Sequence, residues 1–133
     1  MEGARLSSHQ DVQAQVVRHD GTSAGLIKTL RRLMLSARAP TALLVGDSYH
    51  YLTASSLLAK LGLSIPEDIS LVSRDDDTFL AHLVPAPTRY TADPALYARR
   101  LFELILAVRE QRSAPGLRLQ PRLVKGESVR RIG

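Results

Sequence analysis

The stretch Thr41–Asp77, TALLVGDSYHYLTASSLLAKLGLSIPEDISLVSRDDD, leaves few folds open to this chain. It reads as strand, turn, helix, loop, strand. The apolar run Thr41 to Gly46 stops at Asp47, and Ile69 to Ser73 is followed, after Arg74, by Asp75, Asp76 and Asp77. Two strands joined by a helical crossover run parallel, so both end at the same edge of the sheet. Ligands of open α/β sheets bind in the crevice beyond those carboxyl ends. The pattern therefore predicts a βαβ frame with a polar site at its acidic edge.

The flanking sequence extends the frame. Residues 1–11 show no periodicity and are expected to be a flexible start. Val12 to His19, VQAQVVRH, is rich in β-formers and predicts a strand. Asp20-Gly21 marks a turn, and Thr22 or Ser23 can cap a helix whose Leu26, Ile27, Leu30, Leu33 and Met34 share one face, with Pro40 ending it. Thr41 to Gly46 has the continuous apolar pattern of a strand covered on both faces. Ser48 can cap the next helix, with Ala54, Leu57, Leu58 and Leu61 as its core stripe and Gly62 at its left-handed end.

Asp77 or Thr78 can cap a short turn through Leu83, and Thr88 to Ala92 reads as a brief extended piece. Asp93-Pro94 is a helix start, with a capping carboxylate and proline at the first helical position. Leu96, Tyr97, Leu101, Leu104, Ile105 and Val108 then form an apolar stripe down to about Arg112. Ala114-Pro115-Gly116 turns the chain. Leu117 to Val124 alternates, but Pro121 confines it to a sheet edge or a break. The residues after Lys125 are expected to fray. Alternating strands and helices give an α/β class with a three-layer parallel sheet. Only three strong strands are visible, which calls for a small sheet completed by a partner or by further chain.

Composition narrows the function. With 133 residues, 44% apolar and 23% charged, the chain suits one soluble domain. Aromatics are 5% with no Trp, leaving few platforms for stacking on bases or sugar rings. There is no Cys, which excludes disulfides, thiol catalysis and thiolate metal sites. No apolar run reaches the ~20 residues of a membrane span, and MEGARLSSHQDVQ lacks the apolar region of a secretory signal; a cytoplasmic protein is expected. The net charge of +5 is uneven: residues 99–133 hold nine basic and three acidic side chains, residues 1–98 nine and ten. The basicity belongs to the last helix and tail, either as a solvated face or as a phosphate-binding surface.

Catalytic patterns fail on spacing. Asp75, Asp76 and Asp77 could hold a hard cation, serve a ligand, or cap a turn. A dehalogenase-type Asp-x-Asp-x-Thr would need the Thr one position later than Thr78. Histidines 9, 19, 50 and 82 lack paired metal-ligand spacing. No GxSxG elbow and no phosphate loop is present, and Ser48, His50 and Asp47 make no triad by proximity in sequence alone. Asp47 either accepts bonds from a ligand or caps the helix that follows. No catalytic residue, metal or cofactor is expected.

Leu61-Gly62-Leu63-Ser64-Ile65-Pro66-Glu67-Asp68-Ile69-Ser70-Leu71-Val72, running into Asp75-Asp76, resembles the LacI/GalR family of bacterial transcription regulators. Supporting pieces are Pro40-Thr41-Ala42 into Val45-Gly46-Asp47, Pro85-Ala86-Pro87-Thr88-Arg89-Tyr90, the helix from Pro94, and Leu123-Val124-Lys125-Gly126-Glu127-Ser128. The likeness spans about residues 12–129 and implies the C-terminal part of an effector-binding domain with a periplasmic-binding-protein-like fold, followed by a basic tail, 130–133. It implies that Asp75 binds hydroxyls or amines of an effector. Gly46-Asp47 stands where the family has Asn-Asp, whose Asn faces the cleft, and Thr22 lies near where some members stack an aromatic. Ser73-Arg74 replaces the family's Gly-Phe. Arg74 pairing with Asp75 or Asp76 would leave less free carboxylate.

The resemblance further implies a helix-turn-helix head, a hinge and a second lobe that this sequence does not contain. Binding of nucleic acid is then expected only through that absent head, with no membrane contact. In the family the helix matching Pro94 to Arg112 packs on the other lobe. Here it would be bare, so a homodimer is expected, with exchange of that helix between chains as one arrangement. The reading is a sensor of a small polar effector, of sugar or nucleoside class, and not an enzyme. Its competitors are a stand-alone interaction module with a basic tail and a small metal-dependent hydrolase using the Asp75–Asp77 cluster.

Overall fold

Helix α1, Ser23–Met34, begins where Thr22 accepts a hydrogen bond from the Gly25 amide. The computed structural model describes residues 13–113, 116, 118 and 120–131. The expected flexible start, Val12, Ala114, Pro115, Leu117, Leu119 and the end of the basic tail lie outside these residues. After α1 come β1 (Ala42–Val45), α2 (Ser48–Lys60), β2 (Ser70–Ser73), a 3₁₀ turn (Thr78–His82), β3 (Thr88–Thr91), α3 (Pro94–Arg109) and β4 (Arg122–Val124).

The four strands form one sheet in the order β1-β2-β3-β4. β1 and β2 run parallel from Ala42↔Ser70 to Val45↔Ser73, joined by α2 as the crossover. β3 continues the parallel set, with Ser73 beside Arg89. β4 closes the edge antiparallel to β3 and starts after Pro121, where a missing N–H costs no ladder bond. This is the α/β class read from the sequence, with a parallel-dominated sheet.

One core holds it. Leu30 of α1, Tyr51, Ala54, Leu57 and Leu58 of α2, Ile69 and Leu71 around β2, and Leu80 of the 3₁₀ turn are buried together. Leu58, Leu71 and Leu80 are fully enclosed. Gly62 ends α2 with φ +77°, a conformation that side chains disfavour.

Five expectations need correction. Gln13 to His19 is not a strand; it has no neighbour in the sheet, and Val16 is 72% exposed. A β-rich segment needs a ladder partner and a surface to cover, and this one has neither. α1 stops at Met34, six residues before Pro40, with the Leu35 amide reaching back to Arg31 O. α2 is capped by Asp47; Ser48 is its first residue. β1 is not covered on both faces: Leu43 and Val45 pack against the core, but Leu44 on the opposite face is 64% exposed.

The last correction is the largest. Residues 126–130 do not fray. Ser128 is fully buried, its Oγ accepting from the Thr88 amide at 2.8 Å and donating to Leu71 O, while its carbonyl accepts from the Leu71 amide at 2.9 Å. Glu127 N donates to Ala86 O, Gly126 N to Thr88 Oγ1 and Arg130 N to Ser70 Oγ. Gly126 is required because a Cβ there would run into the backbone of Ala86 and Pro87. This segment occupies the place beside β2 that β3, starting only at Thr88, leaves unfilled.

α3 is the opposite case. Asp93 accepts from the Ala95 and Leu96 amides and Pro94 opens the helix, as the sequence reads. Little covers its stripe among the described residues: Leu96, Tyr97, Leu101, Ile105 and Val108 are between 43% and 66% exposed, and Leu104 is half-buried. No helix among the described residues is long and apolar enough to cross a membrane.

Candidate functional site: the carboxyl edge of the sheet

The parallel strands deliver their carboxyl ends to one edge, and an open cleft of about 790 Å³ lies there. Its wall includes Ser48 after β1, Arg74 to Thr78 after β2, Arg89 to Ala92 at the end of β3, and Pro94 and Tyr97 at the start of α3. The Arg74 amide donates to Val45 O at 2.8 Å and the Ser73 hydroxyl to Asp75 O at 2.6 Å, fixing the loop out of β2.

The three adjacent aspartates have three different fates. Asp77 Oδ1 accepts from the Thr78 amide at 2.7 Å and caps the 3₁₀ turn. Asp76 Oδ1 accepts from Arg89 Nε at 2.6 Å in a mostly enclosed ion pair. Asp75 alone has a carboxylate with no hydrogen bond from the described residues; Arg74 Nε stands 3.6 Å away, and both side chains are exposed. Consecutive carboxylates spent separately do not converge on a cation, and no group of three or more His, Cys, Asp or Glu does so among the described residues.

The other expected site residues are placed as follows. Arg74 lines the cleft beside Asp75. Gly46 lies under it: a Cβ on Gly46 would be 3.7 Å from Arg74 Cζ. Asp47 spends Oδ1 on the Tyr49 and His50 amides, with His50 Nδ1 4.0 Å away. Thr22 caps α1 and donates to Asp20 Oδ1 at 2.7 Å. That hydroxyl bond and the one from the Thr22 amide hold the Asp20 carboxyl below its ordinary range. The turn containing Thr22 reaches α2 through His50, whose Nε2 is 3.3 Å from Gly21 O and whose ring meets His19 edge-on. Asp75 and Arg74 are thus together in the cleft; Asp47 and Thr22 serve helix ends outside its wall.

Sequence reasoning missed Arg89 and Tyr97. Arg89 sat in a brief strand read only for its extended shape, 13 residues from Asp76 in sequence, too far for spacing to pair them. Tyr97 was counted into the apolar stripe of α3, yet its position one turn into the helix brings it to the cleft.

Residues 2–129 match the family model described as "Periplasmic binding protein-like domain". The chain is 33% identical over 92 residues to a probable opine utilization operon repressor from Rhizobium rhizogenes, a match covering 68% of this chain and 46% of that protein. A LacI family transcriptional regulator from Bifidobacterium animalis subsp. lactis superimposes with TM-score 0.76 at 20% identity, over 85% of this chain and 42% of the other; this likeness is one of fold. The transcriptional regulator CelR, solved as a cellobiose complex, does so with TM-score 0.69 at 26% identity, over 83% and 34%. The chain spans less than half the length of each of these proteins. Through residues 2–129 this chain belongs to the periplasmic binding protein-like family, as a fragment of a LacI-type effector-binding domain.

Proposed function

We propose that this chain senses a small polar effector, of the sugar or nucleoside class or close to it, for a transcription regulator, and is not an enzyme. The observation that carries the reading is Asp75: a carboxylate at the carboxyl edge, lining an open cleft, that accepts no hydrogen bond from the described residues and meets Arg74 only in an exposed ion pair at 3.6 Å. An acceptor-only group suits hydroxyls and amines. The two matched regulators named for a small molecule, one for opine utilization and one for its cellobiose complex, support a small polar effector. The hydrolase alternative loses its cluster, since Asp76 and Asp77 are engaged elsewhere. In a whole regulator, effector binding would bias the equilibrium between arrangements through differential affinity, and operator contact would come from a separate DNA-binding head.

The bare stripe of α3 supports a second part of the proposal, homodimerisation through that helix, with helix exchange as one arrangement. Apolar surface left in water forgoes about 25 cal/mol per Å². Sedimentation across a hundredfold concentration range tests it: a dimer is expected, and a monomer at every concentration counts against it. Effector sensing is tested by amide chemical shifts under titration with sugars and nucleosides. Perturbations centred on Arg74–Thr78 and Tyr97 are expected in the wild type and absent in Asp75→Ala.

A further inference from the structure

Arg74 is the cation of this cleft whose guanidinium donates no hydrogen bond within the described residues, whereas Arg89 is committed to Asp76 and to Pro87 O. Its side chain is 64% exposed. The guanidinium lies over Gly46, with its Cζ, Nη1 and Nη2 at 3.7, 3.8 and 4.0 Å from where a Cβ would stand. Glycine at 46 leaves that space open; any longer side chain would compete for it. The contact with Asp75, at 3.6 Å, is too long for a hydrogen bond and is exposed on both sides. Such a pair contributes little in water and is readily opened by a third party.

Two groups of opposite charge held together only by that weak exposed pair, adjacent in sequence and both lining the cleft, complement a molecule with the reverse arrangement. A carboxylate accepts two parallel N–H bonds from a guanidinium. A neighbouring hydroxyl or ammonium donates to a carboxylate such as Asp75. A neutral sugar or nucleoside would use Asp75 and leave the guanidinium without an anion. We infer that Arg74 selects an effector that bears a carboxylate next to a hydroxyl or ammonium group, that is, a sugar acid or an amino acid rather than a neutral sugar. This rests on the reading of the cleft as an effector site.

The two sources of that chemistry are separated by matched pairs: glucuronate with glucose, and alanine with alaninamide, titrated into the wild-type chain and followed by amide chemical shifts, with cellobiose and adenosine as neutral references. The acid member of one pair is expected to shift the Arg74–Thr78 amides and Tyr97, and which pair responds names the source. Arg74→Gln should weaken that acid by about tenfold or more and leave its partner without the carboxylate unchanged. Gly46→Asn, which adds an amide where the guanidinium lies, should weaken it as well. If glucose, alaninamide, cellobiose or adenosine binds at these residues as tightly as the acids, with Arg74→Gln without effect, the inference is overturned and the effector site stands. If none of the six compounds perturbs the cleft, both are overturned.

Discussion

α2 and α3 begin alike and end differently. Each has an aspartate as N-cap, accepting from two amides of its first turn, and each carries apolar residues at helical spacing. α2 buries Tyr51, Ala54, Leu57 and Leu58 in the core, while α3 buries only Ala107 and leaves most of its stripe exposed. Local rules therefore produce a helix and choose its face. What covers that face is a separate question, settled by the sheet for α2 and by nothing within the described residues for α3.

The sharpest way to break this contrast is to truncate one leucine in each helix. Leu58→Ala leaves a cavity in an enclosed site and should cost about 2–5 kcal/mol by urea denaturation. Leu101→Ala should stay within about 0.5 kcal/mol in dilute solution. A larger loss at Leu101 that grows with protein concentration would mean that a second copy covers α3, which would sharpen the dimer proposal.

Next in size is the buried Ser128, whose Oγ accepts from the Thr88 amide and donates to Leu71 O. Ser128→Ala strands the buried Thr88 amide and should cost about 1–3 kcal/mol. No change in the denaturation midpoint would mean that the C-terminal segment is not part of the cooperative unit.

The caps give a smaller and more diagnostic effect. Asp47→Ala and Asp93→Ala each remove two amide acceptors, at about 1 kcal/mol. Packing holds α2 in place, so Asp47→Ala should lower stability with little change in circular dichroism. α3 has no packing to fall back on, so Asp93→Ala should lower the helical signal itself. Equal behaviour of the two variants would erase the contrast.

The smallest effect is on pH. Burial pushes the Tyr51 phenol up from 10.0, with the Ser128 hydrogen bond acting in the other direction. The folded state therefore favours the neutral phenol. Its contribution is fully present below pH 10 and is lost as pH rises through the elevated value. Thermal melts should show an alkaline decline starting near pH 10, reduced in Tyr51→Phe.

These differences mark what the sequence could carry. The caps of α1 and α3, the α2 stripe, Gly62 and the order of elements from α1 onward follow from neighbours within a few residues, and these were legible. The strand expected at Val12 to His19 was misread because β-propensity reports fit to a surface the segment does not have. The ordered C-terminus was invisible because its partners, Leu71, Thr88 and Ser70, are 57, 40 and 60 residues away in sequence. At the cleft, Asp75 and Arg74 could be named from motif position. The pairing of Asp76 with Arg89 could not, because it depends on the register that sets Ser73 beside Arg89.

The placement of Ser128 also fixes an order of events during synthesis. β2 cannot gain its full complement of backbone partners until a segment made 57 residues later has left the ribosome. At roughly 5–20 residues per second that is a delay of several seconds. α3 is translated within that interval, so its uncovered apolar stripe is present while the sheet beside β2 is still open. A nascent chain of this kind has two sticky surfaces at once, and chaperone capture should be heaviest after α3 has emerged and should fall when Ser128 arrives.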